Sequence, residues 1–131
     1  MKEITAGEIM STVLTTISED EKISTAEIKM IKKNVGGLPV VKENNVLVGI
    51  VTQRDIQLSK FSVLGNAAFH VSDIMSKNPV TATADEKMLS IVKKMTEYDI
   101  ERIPVVDDNN KVVGIIVMKD IIHALASHLE S

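Results

Sequence analysis

The chain has no cysteine and no tryptophan, and its aromatic residues are two phenylalanines and one tyrosine. Without thiols, disulfides, thiolate nucleophiles and cysteine-ligated metals are excluded. Phe61, Phe69 and Tyr98 are the only rings that could stack on bases, and the formal net charge is −3. Neither the stacking platform nor the positive field of a nucleic-acid binder is provided, so no nucleic-acid partner is expected. No stretch approaches the roughly eighteen consecutive apolar residues of a membrane-spanning helix. The opening MKEITAGEIM lacks the apolar core of a signal peptide. A cytoplasmic protein with no membrane contact is expected. Histidine is scarce too: His70, His123 and His128, the last two five apart rather than at the i, i+4 spacing that puts two ligands on one helix face. The reading is a non-enzyme that requires no cofactor and no metal, with its histidines and seven methionines serving packing or surface roles.

What is present is organised by duplication. With 131 residues, 44% hydrophobic and 25% charged, the chain has one globular domain's worth of material. A shift of 65 residues, with no gap, lays Ile9-Met10-Ser11 on Ile74-Met75-Ser76 and Asp20-Glu21 on Asp85-Glu86. It also lays Pro39-Val40-Val41 on Pro104-Val105-Val106, Asn44-Asn45 on Asn109-Asn110, Gly49 on Gly114, and Asp55-Ile56 on Asp120-Ile121. A repeat of this period is one supersecondary unit used twice.

Each copy reads as strand, helix, strand, strand, helix. Leu14 to Ile17 and Val80 to Thr83 are short, β-branched and threonine-rich, which suits a strand. Ser18 with Glu21 and Thr83 with Glu86 have the S/T-x-x-E spacing of a capping box and predict helix starts. Met88, Ile91, Val92 and Met95 recur at helical spacing, and Asn34-Val35-Gly36-Gly37 predicts the stop of the first-copy helix. Leu38 to Val41 and Val46 to Val51 flank Glu43-Asn44-Asn45 as a hairpin, repeated at Ile103 to Val106 and Val112 to Val117, with prolines at the strand starts. Last helices are predicted from about Gln53 and from about Lys119 to near Leu129. Lys29, Lys32, Lys33, Lys93 and Lys94 read as a solvated helix face.

GIVTQRD, Gly49 to Asp55, carries the candidate chemistry, and its second copy GIIVMKD keeps the acid as Asp120 but replaces Thr52 by Val117. Two readings use the same atoms. In one, Thr52 and Asp55 cap the helix that follows, a contribution of about 1 kcal/mol. In the other, the strand-to-helix turn is a nucleoside-phosphate site: helix N–H groups face phosphate, and a carboxylate accepts from two ribose hydroxyls. Retention of Asp120 without its hydroxyl partner leans toward the second.

The repeat order, Glu8-Ile9-Met10 and Asp73-Ile74-Met75, Leu38-Pro39-Val40-Val41 and Ile103-Pro104-Val105-Val106, with GIVTQRD and GIIVMKD, together resemble a tandem pair of CBS (cystathionine-β-synthase) domains, a Bateman module. The resemblance implies an α+β fold of two tandem β-α-β-β-α repeats, at 5–62 and 72–129 with a linker at 63–71, related by a pseudo-twofold axis and packed through their sheets. It implies a regulatory module that binds AMP, ADP, ATP or S-adenosylmethionine and passes occupancy to an unknown regulated protein. A homodimer through helix faces that include Ile121, Ile122 and Leu125 is implied as well. In such modules each cleft takes its acid from one repeat and much of its wall from the other. The first cleft would hold Ile50, Thr52, Arg54 and Asp55 with Val80, Thr81, Ile100, Glu101 and Arg102. Arg102 is its candidate phosphate ligand, a surface ion pair with Glu101 or Asp99 being the alternative. The second, weaker cleft would hold Ile115, Val117, Lys119 and Asp120 with Thr15, Val35, Gly36 and Gly37. A ligand-independent interaction module with vestigial clefts is the competing reading.

Overall fold

The computed structural model describes residues 3–61 and 68–130; residues 63–67 of the expected linker lie outside them. The elements in chain order are α1 (Ala6–Ile9), β1 (Ile17–Ser18), α2 (Ile23–Lys33), β2 (Gly37–Lys42), β3 (Val46–Thr52), α3 (Gln53–Phe61), α4 (Val71–Ile74), β4 (Ser76–Lys77), α5 (Met88–Tyr98), β5 (Arg102–Val106), β6 (Val112–Val117) and α6 (Met118–Glu130). They form a mixed α+β fold of two compact units, Thr15–Pro79 and Met1–Leu14 with Val80–Ser131. The cut differs from the sequence repeats in one respect: each unit takes its lead-in helix from the start of the other repeat.

In the Thr15–Pro79 unit the sheet order is β1-β2-β3-β4. β1 runs parallel to β2, with Ile17 beside Val40, and β2 and β3 form the expected hairpin. Its turn uses Asn44 and Asn45 at φ 63° and 64°, a left-handed conformation that asparagine tolerates better than most residues. Alternation along β3 buries Leu47, Gly49 and Val51. Val51 joins a core in which Ala26 and Met30 of α2, Ile56 of α3 and Val71 of α4 are all buried.

The other unit repeats the plan with thinner edges. β5 and β6 pair as β2 and β3 do, while the outer strands shrink to single bridges, Ala82 with Val105 and Ser11 with Ile115. Its core contains Ala6, Ala82, Ile91, Met95, Ile103, Val105, Ile116 and Ile121. Ile121 therefore faces inward, 6% exposed, and leaves the expected dimer face to Ile122 and Leu125, at 58% and 42%. Pro104 lies inside β5 rather than at its start; its carbonyl accepts from Ala82 N at 3.0 Å. The N and C=O of one strand residue point the same way, so its missing N–H falls outside the β5–β6 ladder.

The lead-in segments explain three departures from expectation. The strands before α2 and α5 begin pairing only at Ile17 and Ala82, so Leu14 to Thr16 and Val80 to Thr81 belong to no strand. The S/T-x-x-E motifs do not start helices: Glu21 N bonds Ser18 O at 3.2 Å and Glu86 N bonds Thr83 O at 3.1 Å, closing turns. The helices begin later, at Ile23 and Met88, where the lead-in crosses. There Ile23 N donates to Phe69 O at 3.0 Å and Met88 N to Ile4 O at 2.8 Å, satisfying helix-end donors that no side chain caps. The same segments supply Ala6 N to Glu86 O at 2.7 Å and Val71 N to Glu21 O at 2.8 Å. The stop of α2 also differs in detail. Asn34 carries the left-handed conformation at φ 54°, as Asp99 does for α5 at 53°, and no described glycine has positive φ.

Each lead-in ends with a methionine against the strand glycine. A Cβ on Gly49 would sit 2.7 Å from Met75 Sδ and 2.8 Å from Ser76 O, whereas the three atoms nearest to one on Gly114 all belong to the Met10 side chain. We expect Gly49→Ala to destabilise by about 1–3 kcal/mol through overpacking against backbone. Gly114→Ala should cost less, because a thioether can swing aside. Urea midpoints that ranked the two variants the other way would overturn this account.

Candidate functional site

The strand-to-helix turn at Thr52 is built by local hydrogen bonding. Thr52 ends β3 opposite Gly37, and Gln53, the first residue of α3, donates its N–H to Gly36 O at 3.0 Å. Asp55 folds back so that Oδ2 accepts from Thr52 N at 2.9 Å and from Thr52 Oγ1 at 3.0 Å. Thr52 Oγ1 in turn accepts from Asp55 N at 3.2 Å. The capping reading is thus realised in the structure, and both residues are half-buried. The bonds to the carboxylate all use Oδ2; among the described residues Oδ1 accepts none, so one oxygen is left for a further donor.

At the second copy the hydroxyl is gone but the cap persists. Asp120 Oδ2 accepts from Val117 N at 2.8 Å, and Met118, opening α6, donates to Glu101 O at 2.9 Å. The bond to residue 117 comes from the backbone, so any side chain there would allow it. Retention of Asp120 therefore requires no ligand, and the inference drawn from it on sequence alone loses its force.

Within its unit, Thr52 lies with Ile50, Arg54 and Asp55, beside Gly36 and Gly37. Thr15 and Val35 belong to the same unit. In the other unit Val117 pairs with Arg102 and lies with Ile115, Lys119 and Asp120, near Glu101. Val80, Thr81 and Ile100 belong there too. The turn-forming residues are half-buried, whereas Arg54, Lys119 and Glu101 are exposed. Arg102 is half-buried and, among the described residues, makes no ion pair with Glu101 or Asp99.

Two lysines carry more than sequence reasoning gave them. Lys29 and Lys94, read as solvated, turn back along their helices: Lys29 Nζ donates to Thr16 O at 2.5 Å and Lys94 Nζ to Thr81 O at 2.8 Å. Lys94 also pairs with Glu86, 2.7 Å from Oε2 and 2.9 Å from Oε1, and Ser90 Oγ donates to Glu86 Oε2 at 2.6 Å. Burial raises the Glu86 pKa, but hydrogen bonds from Lys94 and Ser90 and the lysine charge outweigh it and hold the carboxyl below the ordinary glutamate value. The signal was in the register, since the two lysines are 65 residues apart. Asp73 on α4 has its own lowered pKa, caused first by the N–H groups of Phe69 and His70, which bond its Oδ2 at 2.9 and 2.8 Å.

Comparison with known proteins agrees with the duplicated architecture. Residues 6–58 and 71–127 each match the CBS domain. The chain belongs to the CBS-domain family. The CBS domain pair of protein MJ0100, solved in complex with 5′-methylthioadenosine and S-adenosyl-L-methionine, is 33% identical and superposes with a TM-score of 0.87, over 97% of this chain and 99% of that one. CBSX2, solved in complex with AMP, is 25% identical with a TM-score of 0.88, over 97% and 98% of the two chains. Among curated relatives, homoserine O-acetyltransferase of Methanococcus vannielii is 38% identical over 89% of this chain but only 24% of its own length. Inosine-5′-monophosphate dehydrogenase of Methanocaldococcus jannaschii is 33% identical over 89% of this chain and 23% of its own length. The chain spans about a quarter of those enzymes.

Two stability outcomes follow for this CBS pair. Thr52→Val should cost about 1 kcal/mol by removing the cap hydroxyl, and Val117→Thr should gain a comparable amount; equal urea midpoints for either variant and wild type would contradict the cap assignment. Glu86 has a folded pKa below its unfolded one. Its contribution is present above the unfolded value and lost as pH falls through the folded value. Glu86→Gln should therefore be less stable than wild type at neutral pH, the difference shrinking on acidification, as read by denaturant titrations across the carboxylate range. A pH-independent difference would refute it.

Proposed function

We propose that this CBS pair is a regulatory module that binds an adenosine-containing ligand, AMP, ADP, ATP or S-adenosylmethionine, and passes occupancy to a partner protein. The observation that carries the reading is a carboxylate with one oxygen committed to the helix cap and the other unused. Asp55 Oδ1 would accept from ribose hydroxyls, with Thr52 beside it. Ile50 would lie against the base and Arg54 near phosphate; Val80, Thr81, Ile100, Glu101 and Arg102 complete the proposed set. The likeness in sequence and fold to CBS pairs solved with adenosine compounds supports the same ligand class. Around Asp120 the set would be Ile115, Val117, Lys119, Thr15, Val35, Gly36 and Gly37. Lacking the threonine hydroxyl and an arginine, it would bind more weakly, by about 0.5–1.5 kcal/mol for the neutral bond and about 1.5–3 for the charged one.

We further propose a homodimer that uses the exposed face of α6. Met118, Ile122, Leu125 and Leu129 are all exposed and recur at helical spacing. The second reading is a ligand-independent assembly module. It is favoured by the same apolar face and by both carboxylates already having structural employment as caps.

Calorimetric titration with AMP, ADP, ATP and S-adenosylmethionine separates the two. At a hundredfold excess over its dissociation constant, a bound ligand should stabilise the chain by about 2.7 kcal/mol. Asp55→Ala should abolish the stronger binding event, and Val117→Thr should strengthen the weaker one. Absence of binding by any of the four, or full retention of binding in Asp55→Ala, would leave the assembly reading.

A further inference from the structure

We propose that α6 is the seam of a like-to-like dimer, in which α6 of one copy packs on α6 of a second copy and not on its α3. The inference rests on the homodimer reading above and adds to it which helix meets which.

Met118, Ile122, Leu125 and Leu129 follow one another at intervals of four, three and four residues. That is the a/d spacing by which two helices bury a common stripe. The four are 45%, 58%, 42% and 81% exposed, while Ile121 next to them already faces the core. The core and the stripe therefore take separate parts of the helix. Ala126, also exposed, flanks the stripe by helical angle and adds no bulk to hold a second helix away. Side chains of this size at these exposures leave roughly 400 Å² of apolar surface on one copy, about half of the ~800 Å² that each partner contributes to a stable interface. The association is accordingly reversible and dependent on concentration.

The duplication shows what can cover the stripe. On α3 the positions that match Met118, Ile122 and Leu125 hold Gln53, Gln57 and Lys60, all exposed. Lys60 Nζ is held by Glu27 Oε2 of α2 at 2.8 Å. Packing α6 of another copy on this face would take an ion pair and two amides out of water against side chains that offer them no partner, a cost that apolar contact repays poorly. Two α3 faces packed together would bury two such pairs. Two α6 stripes meet without either cost. Under a twofold axis one stripe supplies both sides of the contact, and Ile122 and Leu125, at its middle, lie at or beside the axis. The repeats agree at the core positions Ile56 and Ile121 and differ in the outward face alone, polar on α3 and apolar on α6.

The test uses sedimentation velocity of the whole chain from micromolar to millimolar concentration, together with thiol trapping. The chain has no cysteine, so an introduced thiol reports a single contact. Wild type should dimerise reversibly. Leu125→Lys should weaken association roughly a hundredfold, the scale of losing a central contact on both copies, and Gln57→Lys should leave it unchanged. Ile122→Lys, read the same way, decides the matter if Leu125→Lys does not fold. Under mild oxidation Leu125→Cys should form covalent dimers and Gln57→Cys should not. A dimer that survives both lysine variants of α6, or one trapped only when Gln57→Cys and Leu125→Cys are combined, would overturn the like-to-like pairing and leave the homodimer reading standing. A wild type that stays monomeric at millimolar concentration would overturn both.

Discussion

The structure depends on the lead-in segment that each repeat lends to the other's compact unit. Backbone groups set this requirement. The first N–H of α2 and of α5 has no side-chain cap and would be an unpaired donor without the carbonyl of Phe69 or Ile4. The outer edge of each β-hairpin would be open without Ser76 beside Ile50 and Ser11 beside Ile115. Ala6 and Val71 are fully buried in the cores they complete. A single repeat cut at its sequence boundary would keep a lead-in it does not use and lack the one it needs. The duplication is thus a condition of folding as well as a trace of history.

The glycines show how tightly this constraint acts on sequence. Gly49 and Gly114 keep negative φ, so no conformational need explains them. Each is small because a lead-in methionine lies across the strand at that point. Thr52 and Val117, where the caps form, lie three residues further along the same strands.

Much of this was legible because it follows from periodicity. Alternation through Val46 to Val51 and the asparagine turn gave the hairpins, and the last helices came out within a residue or two of expectation, while the helical spacing of Ile91 and Met95 gave the buried face of α5 but not its start. The exchange was not legible, because shifting one copy onto the other gives the same match whichever core a lead-in joins. The S/T-x-x-E motifs misled for a related reason. A turn and a helix cap use the same i to i+3 geometry, and the long-range carbonyl of the lead-in decided where the helix began. Lys29 and Lys94 misled through composition: a lysine on an amphipathic helix is usually solvated, and only a bare carbonyl at the unpaired Thr16 and Thr81 turned these two inward.

At the candidate site the two readings offered by the sequence turn out to be compatible, because a carboxylate has two oxygens. The helix cap takes one of them in both repeats, which separates the presence of the acid from any argument about ligands. What distinguishes the repeats is therefore found elsewhere in them: a hydroxyl at Thr52 where the other copy has Val117, and a Lys94 that pairs with Glu86 as well as with the Thr81 carbonyl, where Lys29 bonds the Thr16 carbonyl alone. A neutral hydroxyl adds a donor without adding charge, and an adenosine group, with a neutral base and a diol, is recognised through such donors and acceptors. The cations Arg54, Arg102 and Lys119 lie outside the caps. Under the proposed reading, substituting them would alter the affinity for a phosphate group while the cap bonds, and so the fold, stay as they are.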